Sequence, residues 1–279
     1  MVGRMAMTSA LIDPYEEGWP PGVKPPPRGC DLPCDDGEPM ETADHRHQMN
    51  LLIEVFLVAL ERMGREDVFV GGNMALYYSA LQAKKNDFKA PDVFVVLDTT
   101  FGQGRKSWVV WEEDGRTPSV VVELLSESTE ANDRGPKRRI YERILRVPDY
   151  FIYDPIDFRF EGWHLEEGVY QPLLPDSDGR LFCATVGLWL GRWRGSFLKR
   201  ETSWLRLFDA DGRVVPTYGE AAKEHADAAI ERADAAIERA DAATERADAE
   251  AMRADAEAER ARAAEARVAE LLAQLGRDR

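Results

Sequence analysis

Two acidic side chains lie in segments that otherwise have the character of buried β-strands. Asp92 follows Pro91 at the head of an apolar run, and Glu123 interrupts the apolar residues 120–125. An ionised carboxylate is costly to bury unless it is paired or binds a metal ion. The placement of both acids therefore predicts a chemical role for them.

Three polar residues, Asp133, Lys137 and Tyr141, follow the second acid at intervals of four. This spacing puts them on one face of a predicted helix. Ile140 and Ile144 lie on or next to that face, so Lys137 borders the packed side of the helix. The spacing thus allows the lysine to meet the two acids.

These residue types suit phosphodiester hydrolysis, which needs an activated water and a cation beside the phosphate. Asp92 and Glu123 are suited to hold Mg²⁺ (or Mn²⁺), because Mg²⁺ favours few carboxylates and several waters. The backbone carbonyl of Leu124 would add a ligand, and Lys137 would orient the water or stabilise the developing negative charge. Singly, Asp92 could cap a strand, Glu123 could pair with an arginine, and Lys137 could be solvated. The combination favours a metal-dependent site.

The surrounding pattern alternates between helices and strands. Helical spacing of apolar residues predicts a helix from Thr42 to Gly64, and a second is predicted at about residues 133–146 with Pro136 in its first turn. Predicted strands lie at residues 68–70, 74–79, 92–97, 108–111, 120–125 and 150–153. This order predicts an α/β fold with a mixed sheet flanked by helices. Residues 156–217 have hairpin-like patterns and are expected to cover or extend that sheet.

Two histidines lie near the start of the first predicted helix. His45 and His47 are two residues apart, so they would point to different sides of a helix. We therefore favour surface or capping roles for them over a metal role.

The two ends of the chain differ in composition from the middle. Residues 1–40 are rich in proline and poor in large apolar side chains, which predicts a disordered tail. Residues 218–279 carry an Ala-rich heptad pattern that predicts a coiled-coil helix. Its larger seam residues are Ile230, Ile237, Val268, Leu272 and Leu275. Self-association through them is a hypothesis, since alanine makes a thin interface, and a solitary charged helix is the alternative.

The net charge of −15 is unevenly distributed along the chain. Residues 1–45 and 220–279 each contribute −6, which leaves the middle nearly balanced with 23 basic and 26 acidic side chains. A nucleic-acid partner for the middle is therefore not excluded.

The spacing of Cys30 and Cys34 is weak support for zinc. Few cysteines and no apolar run of about 18 residues favour a cytoplasmic protein without a membrane partner.

Several motifs occur together in a recognisable order. They are Pro91-Asp92, Glu123-x-x-Ser126 with Ser128-Thr129, Asp133-x-x-x-Lys137-x-x-x-Tyr141, Pro148-Asp149-Tyr150-Phe151 and Asp154-Pro155. The combination resembles the Uma-two family of restriction endonuclease-like proteins, a branch of the PD-(D/E)XK nuclease superfamily. The resemblance covers about residues 41–217.

This resemblance implies a restriction-endonuclease-like domain over residues 41–217, a divalent metal and cleavage of DNA. The implied catalytic residues are Asp92, Glu123 and Lys137, and the implied metal ligands are Asp92, Glu123 and the Leu124 carbonyl. The superfamily places its lysine two residues after the second acid, where this chain has Leu125. In this branch the lysine is displaced onto the following helix, which Lys137 matches. Further candidates at the site are Glu41, Asp133 and Tyr141.

Arginines on the predicted helix, Arg134, Arg138 and Arg139, are candidates for contacts with DNA phosphates, although an ordinary solvated helix face would look the same. The leading function is thus a metal-dependent DNA endonuclease that forms homo-oligomers through its coiled coil. The alternative is a catalytically degenerate nuclease-fold scaffold that gathers partners through the same coiled coil. An RNA nuclease or junction resolvase would use the same site on another substrate.

Overall fold

The apolar run around Glu123 forms a strand, Val120–Leu124, in which every residue is buried. The computed structural model describes residues 23, 25–32, 42–83, 88–100, 104–126 and 129–275. Most of the predicted tail at residues 1–40, and the candidate acid Glu41, lie outside the described residues. The chain divides into two compact units, Met1–Tyr218 and Gly219–Arg279.

Helices and strands alternate along the first unit, and one long helix forms the second. In chain order they are α1 (Ala43–Arg62), β1 (Val68–Gly71), β2 (Leu76–Tyr77), α2 (Ala80–Ala83), β3 (Val93–Leu97), β4 (Trp108–Val109), β5 (Val120–Leu124), α3 (Glu130–Asn132, Asp133–Lys137, Arg138–Ile140 and Tyr141–Leu145 in succession), β6 (Asp149–Tyr153), β7 (Phe160–Glu166), β8 (Val169–Pro172), β9 (Leu181–Cys183), β10 (Leu188–Phe197), β11 (Arg200–Phe208) and α4 (Tyr218–Leu275).

The main sheet has six strands in the order β1-β3-β5-β6-β7-β8. β5 and β6 are parallel, while the other neighbours are antiparallel. The predicted mixed sheet with flanking helices is therefore confirmed. A parallel pair needs a crossover connection, and α3 supplies it between β5 and β6.

Helix α1 begins and ends as its sequence predicts. The Thr42 side chain accepts a hydrogen bond from the backbone N–H of His45 at 3.1 Å, and Gly64 follows the helix with a φ of +72°. Its apolar face packs against the main sheet and against β11. Gln48, buried in that face, exchanges two hydrogen bonds with the backbone of Leu205, so the side chain extends the edge of β11.

Helix α3 begins earlier than predicted. Ser126 accepts a hydrogen bond from the N–H of Thr129 at 3.2 Å, and this cap starts the helix before Asp133. The prediction that Pro136 lies in the first turn is therefore wrong, and this residue lies inside the helix. It falls in a π-helical segment, Asp133–Lys137. The wider turn of a π-helix accommodates the loss of one hydrogen bond, which follows because proline has no backbone N–H.

Two predicted strands are shorter than their patterns suggest. The segment 74–79 pairs only at Leu76–Tyr77, and the segment 108–111 only at Trp108–Val109, after which the chain turns. These two pieces form a small parallel sheet of their own. Their apolar composition correctly indicates burial, but it does not fix the length of a strand, and only two residues of each segment pair.

The meander after residue 156 takes both of its predicted roles. β7 and β8 extend the main sheet as a hairpin, whereas β9, β10 and β11 form a separate three-stranded sheet. The second sheet supplies Leu190, Trp204 and Leu207 to the core that α1 shares with the main sheet. The three-stranded sheet thus covers the face of the main sheet that carries α1.

A second buried carboxylate lies at the start of β6. Asp149 is fully buried and accepts hydrogen bonds from the hydroxyl and N–H of Thr185 and from the thiol of Cys183. His164 on β7 approaches its other oxygen at 2.7 Å. Burial, together with the nearby charge of Asp149, raises the pKa of Cys183 well above its ordinary value. This network ties the meander to the main sheet.

The second unit is formed by α4, of which the structure describes residues up to 275. The helix has 58 residues, which confirms the predicted long C-terminal helix. Ile230 and Ile237 on its predicted seam are 59% and 58% exposed in the single chain. Pairing through that seam stays a prediction. Within the described residues, no helix has the length and apolar character needed to cross a membrane.

Candidate active site

Strand register brings the two acids of the sequence analysis together. Val93 on β3 is opposite Val122 on β5 in the antiparallel pair. One further step along each strand places Asp92 beside Glu123, and the N–H of Asp92 lies 3.4 Å from Glu123 Oε2. Alternation along β5 puts Glu123 on the same face as Val121 and Leu125, which α3 covers.

Glu123 is fully buried and contacts two residues of α3. Its Oε2 accepts a hydrogen bond from Lys137 Nζ at 2.8 Å, and its Oε1 accepts one from the Tyr141 hydroxyl at 2.8 Å. Tyr141 is itself fully buried. The predicted convergence of the helix face with the second acid is therefore present in the structure.

Lys137 is also held by a third carboxylate. Its Nζ lies 3.2 Å from Asp133 Oδ1 and donates to the Ala90 carbonyl at 3.4 Å. Asp133 is only 1% exposed, and its Oδ1 has no hydrogen-bond partner of good geometry among the described residues. Its backbone is fixed by the hydroxyl of Tyr150, which donates to the Asp133 carbonyl at 3.0 Å.

Asp92 is held by α1 and by β5. His45 Nε2 lies 2.7 Å from its Oδ1, and the N–H of Leu124 donates to its Oδ2 at 2.8 Å. The C=O and N–H of one residue point to the same side of a strand. The Leu124 carbonyl therefore faces the side on which Asp92 lies.

The contact of His45 with Asp92 was missed by our sequence reasoning, which favoured surface or capping roles. His45 is 9% exposed, and its ring faces the site. The signal was present in the helical spacing: His45 shares a face with Met49, Leu52 and Phe56, at intervals of four, seven and eleven residues. A histidine on the apolar face of a helix is directed toward the sheet.

A tight turn after β1 fixes the backbone of Asp92. Asn73, with a φ of +46°, donates from its N–H to the carbonyls of Pro91 and Asp92 at 3.0 and 3.3 Å. A Cβ on Gly72 would lie 2.7 Å from the Asp92 carbonyl oxygen. Only glycine allows the turn to approach the acid this closely.

Burial and charge set the ionisation of the site in opposite directions. Burial raises the pKa of Glu123 to about 8, with the charges of Asp133 and Asp92 adding to the shift and Lys137 opposing it. Burial alone would lower the pKa of Lys137, but Glu123, Asp133 and Asp92 outweigh it and raise that pKa above the ordinary value. Burial opposes ionisation of Asp92, yet His45 and Lys137 lower its pKa.

The donor set fits a hard divalent cation that keeps several waters. Three carboxylates surround one ammonium group, so the cluster has negative charge in excess, and Asp133 Oδ1 is a buried acceptor without a good donor. Among the described residues no three His, Cys, Asp or Glu side chains form a cage that could hold a metal ion. Mg²⁺ is usually bound by one or two carboxylates plus waters and substrate oxygens, so it does not need such a cage.

The three candidate DNA-binding arginines differ in their surroundings. Arg134 forms ion pairs with Glu130 and Glu161, each at 2.8 Å. The Arg138 guanidinium lies 4.3 Å from the centre of the Trp163 ring. Arg139 is exposed and has no ion pair with any described residue. Of the three, Arg139 has its charge most available to an external phosphate.

The structure thus belongs to the class of α/β proteins with a mixed sheet, in which two acids on neighbouring strands meet a lysine on the crossover helix. The sequence pattern of the Uma2 family, described as "Putative restriction endonuclease", matches residues 27–192. This chain belongs to the Uma2 family.

Two further similarities accompany the family match. An "Uncharacterized protein" of Synechocystis sp. is 31% identical over 105 residues, which span 37% of this chain and 50% of that protein. The match thus spans half the length of that relative. The crystal structure of a "putative nuclease belonging to DUF820" from Anabaena variabilis is similar with a TM-score of 0.40 at 10% identity, covering 55% of this chain and 81% of the other.

Proposed function

We propose that this chain is a divalent-metal-dependent endonuclease that hydrolyses DNA phosphodiester bonds. The observation that carries the proposal is the contact of Lys137 Nζ with Glu123 Oε2 at 2.8 Å, directly beside Asp92. Membership of the Uma2 family supports the same reading. An ammonium and two carboxylates on the covered side of a sheet are costly to bury without a chemical role.

Each side chain has a distinct part in the proposed reaction. Asp92 and Glu123, with the Leu124 carbonyl, would hold Mg²⁺ or Mn²⁺. The bound ion would supply Lewis-acid stabilisation of phosphate charge and a more acidic water. Lys137 remains an ammonium because its pKa is raised, so it would orient the attacking water or stabilise the phosphate rather than accept a proton.

Three neighbours would position these groups without touching the substrate. Tyr141 fixes one oxygen of Glu123, Asp133 restrains the ammonium of Lys137, and His45 restrains Asp92. Arg138 and Arg139 would contact the DNA backbone, where cations bind phosphates without reading sequence. The ion pairs of Arg134 with Glu130 and Glu161 suggest that it mainly holds α3 in place.

The proposal is tested by cleavage of supercoiled plasmid with Mg²⁺ or Mn²⁺, by the protein and by three near-isosteric variants. Asp92→Asn, Glu123→Gln and Lys137→Met should each lower the rate at least ~100-fold, since each removes a charge from the reacting centre. The matched control is Asp98→Asn, which changes an exposed acid just beyond the other end of β3. Asp98→Asn should cleave as the unmodified protein does.

The pattern of losses decides the outcome. Cleavage that persists in all three folded variants would assign the activity to another site or to a contaminant. Single-stranded DNA, RNA and branched DNA substrates in the same assay would separate a DNA endonuclease from an RNA nuclease or a junction resolvase.

A second candidate function is a non-catalytic scaffold on the same fold. It is favoured by two observations: Leu125, buried and apolar, stands where the superfamily has its lysine, and the 58 residues of α4 project a long, exposed surface. A scaffold would bind partners or form homo-oligomers through α4 and would show no cleavage with either metal on any of these substrates.

A further inference from the structure

Charges on α4 are separated into two stripes that run along opposite edges of its seam. The acidic stripe advances by alternating steps of three and four residues through Glu231, Asp234, Glu238, Asp241, Glu245 and Asp248. The basic stripe advances by steps of seven through Arg232, Arg239, Arg246 and Arg253. Both follow the heptad that places Ile230 and Ile237 at position a and Ala233 and Ala240 at position d.

The first two arginines of the basic stripe have no acidic neighbour at ion-pair spacing within the helix, whereas Arg246 and Arg253 have Glu250 or Glu257 three or four residues away. Ion pairs form on a helix surface between residues three or four apart. Around Arg232 and Arg239 all positions at those distances are alanine. Neighbours in the acidic stripe, such as Asp234 and Glu238, are like charges at a spacing of four. Along the described part of α4, no member of either stripe has an ion-pair partner.

We infer that α4 binds α4 of a second copy of this chain as a parallel, in-register two-stranded coiled coil. In a parallel pair, the acidic edge of each helix faces the basic edge of its partner along both sides of the seam. In an antiparallel pair, acid faces acid along one side and arginine faces arginine along the other. Short alanine side chains at positions 229, 236 and 243 leave room for the arginines to reach across.

The seam sets the register. Ile230 and Ile237 are exposed in the single chain and are flanked by alanine at neighbouring seam positions. Only the in-register arrangement packs each isoleucine against its own counterpart, and a shift by one heptad sets Ile237 against Thr244. Farther along, Glu257 would face the partner's Arg262. Two like-charge contacts oppose this arrangement: Glu250 would face the partner's Asp255, and the seam residue Glu265 would face the partner's Glu265. The inference does not depend on the proposed function.

Disulfide trapping tests the orientation in the full chain, with Cys30→Ser and Cys34→Ser to remove other reactive thiols. Ala233→Cys lies on the seam and should form a covalent dimer under mild oxidation. The matched control, Ala235→Cys, is two residues away on the outer face and should not. A mixture of Ala233→Cys and Ala261→Cys chains should give no mixed dimer. Mixed dimers without self-linked Ala233→Cys dimers would overturn the parallel arrangement.

Charge exchange tests the stripes by sedimentation velocity over a range of concentrations. Replacing Asp234, Asp241 and Asp248 with arginine should weaken dimerisation at least tenfold. Adding glutamate at positions 232, 239 and 246 of the same chain gives each new arginine an acidic partner across the seam and should restore dimerisation. Circular dichroism checks that α4 stays helical in every variant. A helical chain that is monomeric throughout, or exchange without recovery, would overturn the inference.

Discussion

At the scale of single residues, the ionisation of Glu123 should control binding of the proposed cation. The carboxyl group has no exposed surface, and burial raises its pKa from an ordinary 4.5 to about 8. Lys137 and Tyr141 occupy both of its oxygens in the structure. A cation that binds Glu123 must therefore displace its proton, or replace the hydrogen bond from Lys137 or Tyr141.

The raised pKa of Glu123 predicts how stability varies with pH. Since the folded state retains the proton more firmly than the unfolded chain, this group favours folding below pH 4.5, and that contribution is lost as pH rises toward 8. Glu123→Gln keeps a neutral group there, so its free energy of unfolding relative to the unmodified protein should rise over this range. Urea denaturation at several pH values measures this difference.

The same proton makes metal binding depend on pH. If the cation needs ionised Glu123, its affinity should increase about tenfold for each unit by which the pH rises, up to about pH 8. Isothermal titration with Mn²⁺ in buffers of different ionisation enthalpy would detect the released proton. Asp98→Asn should leave both profiles unchanged, and a pH-independent affinity would contradict the assignment of Glu123 as a ligand.

The hydroxyl of Tyr141 should matter to both stability and catalysis. Tyr141→Phe removes the donor to Glu123 Oε1, which leaves a buried carboxylate oxygen unpaired and should cost about 1–3 kcal/mol of unfolding free energy. Cleavage should fall as well. Tyr170→Phe is the matched control, because its buried hydroxyl donates to the Val147 carbonyl at 3.0 Å and not to Glu123. It should lose stability without losing activity.

At the scale of elements, the glycine turn after β1 should be as sensitive as the acids themselves. Gly72→Ala would place a Cβ 2.6 Å from Ile53 Cδ1 and 2.7 Å from the Asp92 carbonyl oxygen. Relief of this overlap must move α1 or the Asp92 backbone, at a cost of about 1–3 kcal/mol. Both thermal stability and cleavage should decline.

Gly135→Ala serves as the control for that variant. Gly135 lies in α3, and a Cβ there has no atom within 4 Å. Its substitution should be neutral or slightly stabilising, because alanine restricts the unfolded chain. Equal activity of the Gly72→Ala and Gly135→Ala variants would show that the turn does not position Asp92.

The sequence predicted the elements of the site better than their limits. The run of valines around Glu123 was sufficient to predict a buried strand, and four-residue spacing was sufficient to predict that Lys137 and Tyr141 face it. The start of α3 was wrong, because Pro136 is a strong signal for a first turn while the Ser126 cap and the π-helical segment are tertiary details. The pairing of His45 with Asp92 depends on how α1 lies on the sheet, which periodicity alone does not determine.

At the scale of the whole molecule, the first unit should fold without α4. Among the described residues, its core contains none beyond Val215, and the chain divides at Tyr218. A truncated protein of residues 1–218 should therefore unfold in one cooperative transition with a melting temperature close to that of the full chain. It should keep metal-dependent cleavage but lose self-association. A large fall in melting temperature would mean that α4 contributes to the stability of the first unit.

The thiol of Cys183 gives this molecule an internal chemical reporter of its own opening. The thiol of Cys183 on β9 is fully buried and donates to Asp149 on β6, whereas Cys30 is exposed. An alkylating reagent should therefore modify Cys30 at once, and Cys183 only when β9 separates from β6. In a chain with Cys30→Ser and Cys34→Ser, the labelling rate of Cys183 would then measure how often the native structure opens locally. Slower labelling with Mn²⁺ present would show that a cation at Asp92 and Glu123 stabilises the contact of Cys183 with β6 against opening.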